Sequence, residues 1–183
     1  MSEELIVQQC SPTLAGLKTG SIFNCPFRSR KDLWKEIRLL NTRLKPKGLR
    51  VIPLRISAHN AMIYIYRPER LSKDLADSKA ACILEDCGYT GRTVPGCISL
   101  LMERLRTGED FPHEIGLFLG YPPEDVSGFI ENKALKSKAT GHWKVYGDEK
   151  KAMKTFARFK KCTKVYTDRR AHGVSIERLA VAG

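Results

Sequence analysis

Two places in this sequence set nucleophilic or proton-carrying side chains beside a helix-start signal. The more individual is the run Phe111-Pro-His-Glu-Ile-Gly-Leu-Phe-Leu-Gly-Tyr-Pro-Pro-Glu-Asp-Val126. Pro112 presets φ for a helix start, so His113 and Glu114 fall in a first turn. The free N–H groups and positive dipole end there favour a carboxylate and depress an imidazole pKa. A neutral imidazole so placed can act as a general base or ligate a metal or haem iron, with Glu114 orienting it. The plain structural use of the same pair is a Glu114 that caps its own helix and a His113 bonded to neighbouring backbone. Leu117, Phe118 and Tyr121 read as core, Tyr121 being also the nearest candidate ligand contact, and Gly120-Tyr-Pro-Pro is a rigid turn into the next helix.

The second place is Cys10-Ser-Pro-Thr-Leu-Ala-Gly-Leu-Lys18. A proline two residues after a cysteine suits a helix beginning there, where the dipole would stabilise a thiolate. The string is loosely similar to the nucleophile segment of papain-like cysteine peptidases, in which a histidine supplies the base. His113, followed by Glu114, and His142, with Asp148 beyond it, are the candidate bases. A small buried thiol explains Cys10 equally simply. The turn from Gly16 to Gly20 places backbone N–H groups beside Lys18 and could hold an anion, with Arg67 as a further basic group; a tight turn needing glycine explains the same residues.

The elements that must position these groups read as α+β. Leu33, Ile37, Leu40 and Leu44 repeat at helical spacing over residues 30–44, closed by Lys47-Gly48. Leu49 to Ile56 and Ala61 to Tyr66 form a hairpin, with Ile52, Leu54, Ile56, Ile63 and Ile65 on its buried face and Pro53 marking an edge strand. From Pro68 to Asn132 short helices are punctuated by Pro68, Pro95, Pro112 and Pro122 near their starts and Gly88, Gly108 and Gly120 past their ends. After a polar linker over residues 133–141, His142 to Tyr146 reads as a strand and Asp148 as a cap. Glu149 to Lys161 reads as a helix with Ala152, Phe156 and Phe159 inward, and Thr163 to Tyr166 as a further strand. The expectation is one domain over residues 1–183, with a small mixed sheet made of the hairpin and a C-terminal strand-helix-strand unit, around a helical middle section.

Composition narrows the function classes. With 183 residues, 42% hydrophobic and 28% charged, the chain is an ordinary globular one. No apolar run is long enough to span a membrane, and MSEELIVQQC lacks a basic n-region, so a cytoplasmic protein with reduced cysteines is expected. The six cysteines make no Cys-x-x-Cys and no zinc-type tetrad. Neither a dinucleotide nor a triphosphate loop is present, so no cofactor identifies itself. The net charge of +12 is concentrated: residues 28–55 hold ten basic and two acidic side chains and residues 133–170 thirteen and three. These blocks total +18 and leave −6 elsewhere. Cations so grouped draw phosphates and acidic proteins, or simply form solvated helix faces. No RNP aromatic motif, helix-turn-helix signature or zinc finger points to nucleic acid.

The motifs Pro112-His113-Glu114 and Leu119-Gly120-Tyr121-Pro122 resemble the hallmarks of domain of unknown function 3793, a family of small proteins from anaerobic bacteria. The resemblance extends through Cys10 to Lys18, Tyr64-Ile-Tyr-Arg-Pro68, Gly128-Phe-Ile-Glu-Asn132, Trp143-Lys-Val-Tyr-Gly-Asp148 and Lys161-Cys-Thr-Lys-Val-Tyr166. It implies no activity. The preferred reading is a small-ligand-binding or enzymatic domain that takes an anionic small molecule. In it His113, Glu114 and Cys10 are the catalytic candidates, and Lys18, Arg67 and Tyr121 the ligand contacts. Two alternatives stand beside it: a non-enzymatic module whose basic face meets an acidic protein, such as a flavodoxin-like partner, or nucleic acid; and a metal- or haem-binding protein.

Overall fold

The computed structural model describes residues 1–108 and 110–182. The fold is α+β, and the chain divides into two compact units, Met1–Glu69 with Phe159–Gly183, and Arg70–Arg158.

In the first unit, helix α1 (Glu3–Leu14) leads into strand β1 (Gly20–Pro26), helix α2 (Arg30–Leu44), and strands β2 (Arg50–Ile56) and β3 (Asn60–Tyr66). The Ser29 hydroxyl caps α2 by accepting the Asp32 N–H at 3.1 Å. Leu33, Ile37, Leu40 and Leu44 are its buried stripe, as the spacing predicts. Gly48, at φ +73°, turns the chain into β2. The sheet order is β1-β3-β2 and every pairing is antiparallel, so the expected hairpin is present and Pro53 does lie on an edge strand. Its buried face differs from the expected one. The register shifts between Pro53 and Arg55, and this bulge exchanges the faces: Val51, not Ile52, joins Ile63 and Ile65 against the helices. Ile6, Val7, Cys10 and Leu14 of α1 and the α2 stripe complete that core, together with Ile176 and Leu179 of the one-turn helix α9 (Ile176–Leu179).

The second unit is the expected helical section. It begins within α3 (Pro68–Leu75) and holds α4 (Ser78–Asp86), α5 (Val94–Thr107), α6 (Ile115–Phe118) and α7 (Pro123–Glu131), followed by a two-stranded antiparallel ribbon of β4 (Ala139–Thr140) and β5 (Lys144–Val145). Helix α8 (Glu149–Ala171) begins at the Asp148 cap, whose carboxylate accepts the Lys151 N–H at 2.9 Å. Ala152 and Phe156 are buried with Val145. Thr163 to Tyr166, expected as a strand, is helical. The β-branched content of that run suggested a strand, but burial at Phe159, Cys162 and Tyr166 follows the helical period, and an uninterrupted helix serves that stripe. The strand-helix-strand unit and the mixed sheet are therefore absent among the described residues, both sheets being antiparallel.

Candidate functional site

The Phe111 to Val126 segment builds one wall of a cavity in the second unit. The Ile115 N–H reaches the Pro112 carbonyl at 3.1 Å, so the turn begins at the proline, and α6 closes after one turn. Gly120 at φ +75° then reverses the chain, and the Tyr121 N–H returns to the Gly116 carbonyl at 3.0 Å. This reversal brings His113 and Tyr121 to the same cavity, about 180 Å³ in volume. Gly116 permits the close packing: a Cβ there would stand 2.8 Å from Val126 Cγ2 and 3.2 Å from the Tyr121 ring.

The opposite wall comes from α7 and the ribbon. Asp125, buried in the first turn of α7, accepts the Trp143 indole N–H at 2.6 Å on one oxygen and the Tyr146 and Gly147 N–H groups, each at 2.7 Å, on the other. A charged acceptor bridging an indole and a backbone turn fixes the indole plane. Trp143 stacks on Tyr121 with centroids 4.8 Å apart and meets Phe156 edge-on at 4.5 Å. The Tyr121 hydroxyl donates to the His142 carbonyl at 3.1 Å, and burial pushes its pKa up to about 12. His142 itself lies against Phe156, ring centroids 5.6 Å apart.

His113 is exposed and packs edge-on against Phe129 at 4.9 Å, with the Phe111 ring centroid 6.0 Å from its own. Neither of its ring nitrogens has a hydrogen-bond partner among the described residues. Lys144 also lines the cavity, its ammonium donating to the Ala134 carbonyl at 2.6 Å. Glu114 faces away from this wall. Only 2% exposed, it accepts the Tyr89 hydroxyl at 2.9 Å and pairs with Arg104 Nε at 3.1 Å. Burial and the Glu114 charge push the Tyr89 phenol far up. Glu114 makes no side-chain cap bond to α6, contrary to the simplest structural expectation.

Cys10, Lys18 and Arg67 belong to the first unit. The expected helix start at Cys10 is not there: α1 runs from Glu3 to Leu14, so Cys10 lies near its C-terminal end with Pro12 in the last turn. The thiol is fully buried, and burial pushes its pKa up to about 12 despite the opposing influence of Lys18 and a hydrogen bond with Ser21. A thiol so raised is protonated at neutral pH, the opposite of the depressed pKa on which thiolate nucleophiles depend. Lys18 is pulled down to about 8 by the same burial. Arg67 is buried, and its guanidinium donates to the carbonyls of Thr13, Leu14 and Val181, each at 2.8 Å, and of Lys47 at 3.3 Å. It is the cation that caps the C-terminal end of α1.

Of the sequence candidates, then, His113 and Tyr121 share a cavity. Asp125, Phe129, Trp143 and Lys144 were not singled out from the sequence as site residues. The available signal was the Trp143 to Asp148 run, whose indole needs a buried acceptor. Among the described residues no group of three or more His, Cys, Asp or Glu side chains is arranged to hold a metal ion.

The arrangement defines a small α+β protein with an aromatic-walled cavity in its helical unit. The model of the family "Protein of unknown function (DUF3793)" matches residues 6–180, and the chain belongs to that family. No curated protein and no solved structure matches the chain.

Proposed function

We propose that this protein binds a compact, planar, largely apolar molecule bearing one anionic or hydrogen-bond-accepting group, in the cavity between His113 and Trp143. The observation that carries this reading is the pairing of aromatic walls with an accessible imidazole whose nitrogens are unpartnered among the described residues. Phe129, Tyr121 and Trp143 offer ring faces and edges to a flat ligand. His113 and Lys144 supply polar hydrogen atoms, whereas Asp125, the one carboxylate of the lining among the described residues, is occupied by three donors. An aromatic cage for a quaternary ammonium would need the opposite electrostatics. A volume of about 180 Å³ is close to the roughly 150 Å³ cavity that takes benzene. It is well under the roughly 300–1,000 Å³ usual for drug-sized ligands. One ring, or a small fused pair, suits this space better than haem. In this reading His113 meets the polar group of the ligand and Glu114 anchors the turn that carries it. Cys10, Lys18 and Arg67 serve the core and α1 of the other unit. A reducing, cytoplasmic setting is supported by six cysteines that all stand as free thiols.

The test uses Trp34→Phe, which leaves Trp143 as the one tryptophan. Benzoate is expected to change Trp143 emission saturably, benzyl alcohol more weakly and benzylammonium not at all. His113→Ala and Phe129→Ala should each weaken benzoate binding about tenfold, about 1.4 kcal/mol. Tightest binding by benzylammonium, or no saturable response to any of the three at millimolar concentration, overturns the reading.

A further inference from the structure

We propose that the outward face of the first turns of α8 binds the phosphate backbone of a nucleic acid through Lys150, Lys151, Lys154 and Arg158, independently of the aromatic cavity. All four side chains are exposed, while Ala152 and Phe156 of the same turns are buried. At about 100° per residue the four cations occupy one arc of about 100°, opposite the buried stripe, and extend along about 12 Å of helix axis. None of the four side chains has an ion-pair or hydrogen-bond partner among the described residues. The two nearest acids in sequence are Asp148, whose carboxylate caps the helix, and Glu149.

Stability does not account for this placement. Lys150 and Lys151, in the first turn of α8, face the positive end of its macrodipole and weaken the helix by about 0.3–1 kcal/mol each. An external anion reverses that sign. Its class follows from what the arc lacks. A protein partner would be held by buried aromatic or apolar anchors, and none of the arc's own residues is one, Met153, 49% exposed, lying about 60° outside it. Insertion into a lipid surface needs the apolar side of an amphipathic helix to be free, whereas Ala152 and Phe156 are committed to a core with Val145. A linear polyphosphate needs only spaced cations: about 12 Å of duplex carries about seven phosphate charges. Contacts of this kind go to phosphates, so the binding is governed by counterion release.

Fluorescence anisotropy of a labelled mixed-sequence DNA duplex, with increasing NaCl from about 50 mM, tests this with the full chain. Four phosphate contacts give a slope of log K against log salt of about −3.6, and a single remaining contact about −0.9. The Lys150→Gln, Lys154→Gln, Arg158→Gln triple variant should therefore flatten the slope to near the second value and weaken binding at low salt at least tenfold. Circular dichroism and an unchanged or raised melting temperature establish that this variant is folded. A charge-matched variant on α2, Lys31→Gln, Lys35→Gln, Arg38→Gln, should keep the parental slope. No binding at low salt, equal loss in both variants, or tighter binding to polyglutamate or phosphatidylserine vesicles than to the duplex overturns the proposal.

Discussion

Replacing Asp125 with Asn changes one oxygen to an amide nitrogen and nothing in shape. The carboxylate serves three donors, the Trp143 indole at 2.6 Å and two backbone N–H groups at 2.7 Å. An Asn can keep its carbonyl on the two backbone donors only by turning its own NH₂ toward the indole N–H, which sets two donors face to face. The flipped amide satisfies the indole and abandons two donors instead. The better choice loses one charge-assisted bond, about 1.5–3 kcal/mol, and reduces two others from charged to neutral acceptors, so the total cost is about 2–4 kcal/mol. Asp125→Ala leaves all three donors without a protein acceptor and should cost roughly 3–5 kcal/mol, water repairing part of the loss. Urea unfolding followed by Trp143 emission in the Trp34→Phe background reads the unit that contains the bond. Benzoate binding should weaken together with stability, because the indole that Asp125 orients is also a cavity wall. A cost under about 0.5 kcal/mol for Asn, the limit for a neutral surface change, would refute this account of the clamp. So would an Asn variant less stable than the Ala variant.

Two predictions concern the other unit. Arg67→Lys replaces a planar fork, bonded to the carbonyls of Thr13, Leu14, Val181 and Lys47, with a single ammonium that cannot span them. The loss of two such bonds costs roughly 2–4 kcal/mol, a fall in melting temperature of about 5–15 °C by calorimetry; an unchanged midpoint would contradict the capping role. Glu177 is held down to about 2 by hydrogen bonds from Arg43, one of them 2.8 Å long. Because its folded pKa lies below the ordinary value of 4.5, its contribution is present in full above that value and is lost as pH falls through about 2. The shift corresponds to about 3 kcal/mol at most, and partial exposure reduces it to about 1–2 kcal/mol. Glu177→Gln should therefore be less stable than the parent at pH 7 by that amount. The two urea midpoints should converge as the pH approaches 2, and a constant gap would be the wrong result.

Legibility from the sequence followed the range of the interactions involved. Helix α2 and the β2–β3 hairpin were readable because periodicity and local punctuation determine them. Pro53 marked the edge for a reason internal to the residue, its missing N–H. The bulge beside it was not readable, since a register shift depends on the partner strand, and one shift was enough to exchange Val51 for Ile52 on the buried face. Thr163 to Tyr166 shows the complementary failure. Four residues of strand propensity count for less than a burial stripe that begins at Ala152. Cys10 was misplaced because Pro12 can end a helix as well as begin one, and the acidic pair Glu3 and Glu4, in the first turn of α1, gives the direction. The Asp125 clamp joins residues 18 to 22 positions apart, through an indole and two backbone groups whose positions no local pattern specifies.

The adjacency of Pro112, His113 and Glu114 has its own geometric logic. Consecutive residues in a helical turn point about 100° apart, so a histidine and a glutamate side by side leave the turn in different directions. The chain uses this divergence. Glu114 points inward to Tyr89 and Arg104, where the charge is buried and satisfied by a hydroxyl and a guanidinium. The turn is thereby pinned from beneath, and His113 stands outward beside Phe129. A proton relay from Glu114 to His113, attractive when the residues are read as letters, gives way to a division of labour: Glu114 fixes the backbone and, in the function proposed above, His113 meets the ligand. Glu114→Gln should then disturb binding only as far as it loosens the turn. The imidazole is reached from the cavity that it lines.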